Sequence, residues 1–163
     1  MNKDTLEALY RKYYIPAIRY AMSLCNDPDV AEDIVSDGFA KAFTALDDDS
    51  PSFQYWLFRV MKNLWIDYLR KNKNISLEDT SEPVSHITPE TLHLKNERSV
   101  ALWKALDSLS RTDREIVVLH HFSFLPLTEV AKSLNMNYPA VRQRLKRARN
   151  ILKKKMEEQG YDF

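Results

Sequence analysis

Residues 127–155 read LTEVAKSLNMNYPAVRQRLKRARNILKKK. Val130, Leu134, Val141, Leu145, Ala148 and Leu152 form one apolar seam at helical spacing. The seam predicts a short helix over Thr128–Leu134, a turn at Asn135-Met136-Asn137 and a long helix from Tyr138 to about Glu158. Ala131 is small where the two helices cross, and Asn137 is placed to cap the second. A short helix, a three-residue turn and a longer basic helix make a helix-turn-helix. Arg142, Arg144, Lys146, Arg147 and Arg149 lie off the seam. Between Glu129 and Glu157 there are nine Lys/Arg and no acid. A merely solvated face usually alternates in sign, and this one does not. The pattern predicts sequence-specific DNA binding, with the basic helix near Pro139–Lys155 entering the major groove.

Upstream, Ser110-Arg111-Thr112-Asp113 resembles a capping box, with Asp in place of the usual Glu. It opens a helix carrying Ile116, Val117, Leu119, His120 and Phe122, and Phe124-Leu125-Pro126 is a turn. Val100, Leu102, Trp103, Leu106 and Leu109 mark a helix before it. Residues 71–95 mix Ser, Thr, Asn, charged residues and prolines, and read as a flexible or extended linker. Before the linker, Phe53, Trp56, Leu57, Val60, Met61, Leu64, Trp65, Tyr68 and Leu69 form an amphipathic stripe assigned to the core. The opposite face carries Tyr55, Phe58, Arg59, Lys62, Asn63, Ile66, Asp67 and Arg70. Aromatics among cations can stack unpaired bases and hold phosphates. Asp47–Ser52 is a polar break in which Ser50 or Ser52 can cap the next helix. Val30, Ile34, Val35, Gly38, Phe39, Ala42, Phe43 and Leu46 make another stripe, with Asp27 as cap and Pro28 at the first helical position. Residues 4–25 read as a helix with a bend at Pro16.

The expected fold is all-α: two small helical domains, 1–73 and 97–163, joined by a flexible linker, 74–96. Two glycines in 163 residues fit helices joined by short turns, because sheet turns and bulges would need more. Residues 1–70 hold 8 Lys/Arg against 11 Asp/Glu, and residues 100–163 hold 12 against 7. Positive charge is therefore concentrated at the C-terminal end, although the whole chain carries only +1. No run of apolar residues is long enough to cross a membrane, and the N-terminus lacks the apolar core of a secretion signal. A single cysteine, Cys25, fits a reducing, cytoplasmic setting, and its expected role is a buried small hydrophobe.

Both halves together resemble one family. AEDIVSDGFAKAF at 31–43 and FQYWLFRVMKNLWIDYLRKNK at 53–73 are similar to the region 2 helices of extracytoplasmic-function (ECF) sigma factors, members of the bacterial sigma-70 type. LSRTDREIVVLHHFSFLPLTEVAKSLNMNYPAVRQRLKRARNIL at 109–152 is similar to their region 4. Two departures stand out: Gly38 sits where a bulkier residue is common and is expected to soften its helix, and Asn135 replaces a frequent turn glycine. The resemblance implies a sigma factor that binds core RNA polymerase and directs promoter-specific initiation, not an enzyme. It implies polymerase contacts at Glu32, Asp33, Ile34, Asp37, Phe39 and Ala40. It implies contacts to the melted −10 element at Asp49, Ser52, Phe53, Tyr55, Lys62, Asn63, Asp67 and Arg70. Base readout at the −35 duplex falls to Arg142, Gln143, Lys146 and Arg147, with Tyr138, Arg144 and Arg149 holding the backbone. Linker acids Glu78, Asp79, Glu82 and Glu90 could imitate nucleic acid inside polymerase. An anti-sigma factor is a further possible partner; no cofactor or metal is implied, and the free protein is expected to be a monomer.

Two other classes compete. A dimeric helix-turn-helix regulator on a palindrome would need residues 1–73 to be a ligand or dimerisation domain. A metal hydrolase would need its four histidines, His86, His93, His120 and His121, to converge. No HExxH or CxxC spacing is present, and adjacent His120 and His121 point to different helix faces.

Overall fold

The computed structural model describes residues 3–45, 53–72 and 88–162. Its contacts divide the chain into two units, Met1–His86 and Ile87–Phe163. Among the described residues there is no strand.

Among the described residues, three helices build the first unit: α1 (Lys3–Cys25), α2 (Pro28–Ala45) and α3 (Phe53–Lys71). The α1 helix is continuous across Pro16, and its buried residues begin at Ala17. It stops where Asn26 takes a left-handed φ of 54° and its N–H bonds the Met22 carbonyl at 2.9 Å, a common helix ending for a residue that tolerates this geometry. Asp27 then caps α2 as its spacing predicts, accepting the Asp29 N–H at 3.0 Å. All three helices pack on one another. Tyr10, Phe39, Phe43, Phe53 and Tyr13 form an aromatic chain with ring centroids 4.9–5.7 Å apart in successive pairs. Gly38 is buried where α2 crosses α3. A Cβ there would lie 2.9 Å from Met61 Cγ and 3.5 Å from Leu57 Cδ1. The glycine lets two helices approach closely, so its effect is tight packing rather than the softening expected from the sequence.

The α3 stripe is rotated from its expected position. Trp56, assigned to the core, is 39% exposed, whereas Phe58, assigned to the polar face, is fully buried. Phe58 meets Tyr20 of α1 edge-on at 5.4 Å. A periodicity that fits two candidate faces nearly equally is resolved here by the third helix.

The second unit is built around α7 (Tyr138–Glu158), against which α4 (Glu97–Ala105), α5 (Arg111–Val117) and α6 (Leu127–Ser133) pack. Val141, Leu145, Ala148, Leu152 and Met156 form its buried stripe. Burial of a leucine side chain contributes about 1.5–3 kcal/mol, so this stripe anchors the unit. Asn96 caps α4 and Ser110 caps α5, each through its side-chain oxygen. After α5 the backbone widens into a π-helical turn, Val118–Phe122, where an uninterrupted helix was expected. The end of the expected linker is folded: Thr88 and Thr91 bond reciprocally through their N–H and hydroxyl groups at 3.0 and 3.3 Å, and Leu92 is buried.

Candidate nucleic-acid interface

The α6–α7 corner is set by local chemistry. Asn135 closes α6 in a left-handed conformation (φ 54°). The Met136 N–H reaches the Ala131 carbonyl at 2.9 Å and the Asn135 N–H reaches Lys132 at 3.2 Å. These two bonds satisfy carbonyls that a helix end otherwise leaves unpaired. Asparagine serves because its short polar side chain tolerates positive φ. Two residues on, Asn137 caps α7 by accepting the Ala140 N–H at 2.8 Å, as its position predicts. Val130 and Ala131 of α6 are buried against the α7 stripe.

This corner leaves a groove of about 660 Å³, lined by Leu127 and Pro139 together with Tyr138, Arg142, Gln143, Lys146 and Arg149. Arg142, Gln143, Lys146 and Arg149 are exposed there with no acid among them. Two expected residues stand apart. Arg147 is exposed but lies about 140° around α7 from Arg142, given 100° per residue, and is not part of the groove. Arg144 donates to Asp113 at 3.0 Å, a partly buried pair that ties α7 to the start of α5. Asp113 thus serves the scaffold as well as the first turn of α5. Arg149 Nε donates to His121 Nε2 at 3.3 Å. Sequence reasoning gave His121 no part in the interface; periodicity within α7 carries no signal for a partner 28 residues away.

In the first unit, Glu32, Asp33, Asp37 and Ala40 are exposed on α2, while Ile34 and Phe39 are buried. The expected surface placement of Phe39 is corrected: its ring lies 2% exposed within the aromatic chain. Ile34 is likewise 5% exposed, at the floor of a groove between α2 and α3. That groove, of about 400 Å³, carries Asp33, Asp37 and Asp67, with Lys41 and Lys71 also in its lining. Asp67 lines this groove with the acidic residues of α2 and also borders the exposed side of α3, 3.6 Å from Arg70.

Phe53 is buried, which corrects its placement at a DNA surface; it stacks on Phe43 at 5.5 Å. Tyr55 and Lys62 are half-buried, Asn63 and Arg70 are exposed, and Trp56 joins their face. Asp49 and Ser52, with the rest of the polar break at 47–52 and Leu46 of the preceding stripe, lie outside the described residues, as do Glu78, Asp79, Glu82 and His86.

The other chemistry-bearing residues are quiet. Burial pushes the Cys25 thiol up to about 12, and its Sγ reaches the Ala21 carbonyl at 3.1 Å. It is a thiol at neutral pH and a poor nucleophile. His120 donates through Nδ1 to the Leu125 carbonyl at 2.8 Å, holding the turn before α6. Among the described residues no group of His, Cys, Asp and Glu could hold a metal ion, and no helix is long and apolar enough to cross a membrane.

Comparison with known proteins agrees with this geometry. Sigma-70 region 2 matches residues 9–75, and Sigma-70 region 4 matches residues 99–152. RNA polymerase sigma factor YlaC of Bacillus subtilis is 26% identical over 162 residues, covering 95% of this chain and 94% of that protein. ECF RNA polymerase sigma factor SigM of the same organism is 27% identical over 153 residues, covering 91% and 93%. Among solved structures, CnrH in complex with the cytosolic domain of CnrY superposes with a TM-score of 0.62 at 27% identity, covering 93% of this chain and 86% of that one. The sigma factor RpoE bound to the anti-sigma factor NepR from Bartonella quintana shares the fold, with a TM-score of 0.62 at 24% identity over 93% and 98% of the two chains. With both regions matched in order and relatives aligned along nearly their whole length, the chain belongs to the ECF branch of the sigma-70 family of RNA polymerase sigma factors.

Proposed function

We propose that the two units divide the work of a sigma factor along the lines their surfaces suggest. The acid-free groove on α7 carries the reading: Arg142, Gln143, Lys146 and Arg149 line one concave face and are presented by a capped, well-buried helix. Residues near the start of a recognition helix read base edges, and later ones meet the backbone. On that basis Arg142, Gln143 and Lys146 read the −35 duplex, and Arg147 and Arg149 hold phosphates; Tyr138, the first residue of α7, keeps the backbone contact that the family resemblance implies. Arg144 acts indirectly, by fixing α7 against α5. This revises the division expected from sequence, in which Arg147 was a reader.

The groove between α2 and α3 is the polymerase-docking face, with Asp33 and Asp37 as its charged contacts, and Glu32 and Ala40 extend it on the exposed surface of α2 outside the groove lining. A helical partner that sets basic residues against Asp33, Asp37 and Asp67 and acidic or polar ones against Lys41 and Lys71 complements this rim over its apolar floor. Asp67 belongs to this face. The exposed side of α3, with Tyr55, Trp56, Lys62, Asn63 and Arg70, meets unpaired −10 bases, where aromatic stacking offsets the few kcal/mol of unstacking. Joining both units to one polymerase makes two weak DNA elements act as one site.

The chain contributes recognition rather than catalysis, acts where polymerase is found, in the cytoplasm, and is a monomer when free. CnrH and RpoE were each solved with a bound partner, named as an anti-sigma factor for RpoE. A similar inhibitor is a candidate partner here. Selection of promoter DNA with reconstituted holoenzyme, followed by transcription from the selected sequences, tests the proposal. Enrichment of paired elements at fixed spacing is expected. Enrichment of a single palindrome, or transcription no better than by core enzyme alone, would overturn it.

A further inference from the structure

We propose that His121 is a positioning residue for Arg149, holding its guanidinium ready for a DNA phosphate. The inference rests on the second unit being a duplex binder. Arg149 lines the basic groove of α7. Its Nε–H donates to His121 Nε2 at 3.3 Å, from the π-helical turn that follows α5. A guanidinium has five donors in a rigid planar fork. Using the Nε–H on an imidazole leaves the two terminal amino groups to form a bidentate contact with a phosphate. A long arginine side chain otherwise loses rotamer freedom on binding. Here part of that ordering is already done in the free protein.

The bond needs a neutral imidazole with its proton on Nδ1, because protonated Nε2 would be a donor facing a cation. The surroundings favour that form. His121 lies at the exposed surface, where desolvation by its packed neighbours, then the Arg149 guanidinium, then His120 push it down to about 4. The His120 ring stands edge-on at 5.0 Å. The charges on neighbouring elements are engaged elsewhere: Asp113 of α5 with Arg144 at 3.0 Å, and Glu129 with Lys132 on α6 at 3.3 Å. Among these groups, no acid is placed to stabilise an imidazolium at position 121. The contact is therefore set across the neutral range.

The test is a double-mutant cycle on the full chain, binding a short random-sequence DNA duplex at low salt, where phosphate contacts dominate. Arg149→Ala should weaken binding and lower the slope of log affinity against log salt by about 1. His121→Phe keeps a ring but removes the acceptor. It should weaken binding roughly three- to tenfold when Arg149 is present and leave the Arg149→Ala protein unchanged. His121→Gln, which restores an acceptor oxygen near the Nε2 position, should recover most of the loss. His121→Leu serves as a second acceptor-free variant should the phenylalanine protein fail to fold in circular dichroism melts. Equal losses with and without Arg149, no loss at all, or no recovery by glutamine would each overturn the inference while leaving the duplex-binding reading intact. No duplex binding by the unaltered chain would overturn both.

Discussion

Replacing Gly38 by alanine should destabilise the first unit, although alanine is the better helix former. On an exposed helix the change would gain about 0.8–1.0 kcal/mol. Here the new methyl would sit 2.9 Å from Met61 Cγ, well inside contact distance, and Met61 is fully buried. Cγ is near the root of that side chain, so relief needs a new rotamer or a helix shift. Overpacking of this kind costs about 1–3 kcal/mol. The net effect is a loss of about 0–2 kcal/mol, and each kcal/mol lowers Tm by roughly 4–8 °C in a unit this small. The sign should invert in a Met61→Ala background, where the opposing atom is gone and the helix-propensity gain of about 1 kcal/mol survives. Urea unfolding of the four proteins of this cycle, followed by circular dichroism and tryptophan fluorescence, measures the coupling. Stabilisation of the unaltered background by Gly38→Ala would refute the close-crossing argument and restore the view that Gly38 merely loosens α2.

Three further outcomes follow from the same structure. Asp37→Lys should weaken binding to core polymerase in a pull-down while changing the stability of the fold by no more than about 0.5 kcal/mol, because the side chain is exposed; unchanged affinity would count against the docking face. Arg142→Ala should cost roughly 1–3 kcal/mol at one −35 position, whereas Arg147→Ala should weaken binding evenly across a panel of altered −35 elements; identical profiles would dissolve the division between readers and phosphate contacts. Acidification should destabilise the second unit through His121. Its folded value of about 4 lies below the ordinary 6.5. The unfolded chain therefore takes up the extra proton between those values, and stability is full above pH 6.5 and falls as pH drops toward 4. The residue is exposed, so solvent moderates the effect, and the readout is comparative. The Tm of the unaltered chain should fall relative to that of His121→Gln from neutral pH to about pH 4.5; a constant difference would show that His121 does not carry the dependence.

The helix-turn-helix was legible because its determinants are local. The seam at Val141, Leu145, Ala148 and Leu152, the cap at Asn137 and the left-handed turn at Asn135 each depend on residues within a few positions of one another. The same holds for the Asp27 and Ser110 caps. What sequence left open depends on a third element. The α3 stripe fits two rotations, and only the packing of Tyr20 against Phe58 selects the one that exposes Trp56. Phe39 and Phe53 carry family motifs on surface helices, yet the aromatic chain from α1 covers both. Arg144 and Arg149 look alike on the helix, but Asp113 claims one and His121 the other, across 31 and 28 residues of chain. Phe124 was read correctly as a turn residue; its φ of 58° and 79% exposure show an unfavourable conformation for a bulky side chain, for which the structure offers no physical reason.

Binding of labelled promoter DNA by the full chain, measured by fluorescence anisotropy with and without core polymerase, tests the central proposal most directly. Residues 1–73 carry 10 Lys/Arg against 11 Asp/Glu and should attract DNA poorly by charge alone. The basic second unit should bind duplex weakly, with steep salt dependence. Tight, sequence-specific binding is therefore expected only when core polymerase fixes the spacing of the two elements and supplies avidity. Tight, specific binding of a palindromic duplex by the protein alone would contradict the sigma-factor mechanism and favour a dimeric regulator.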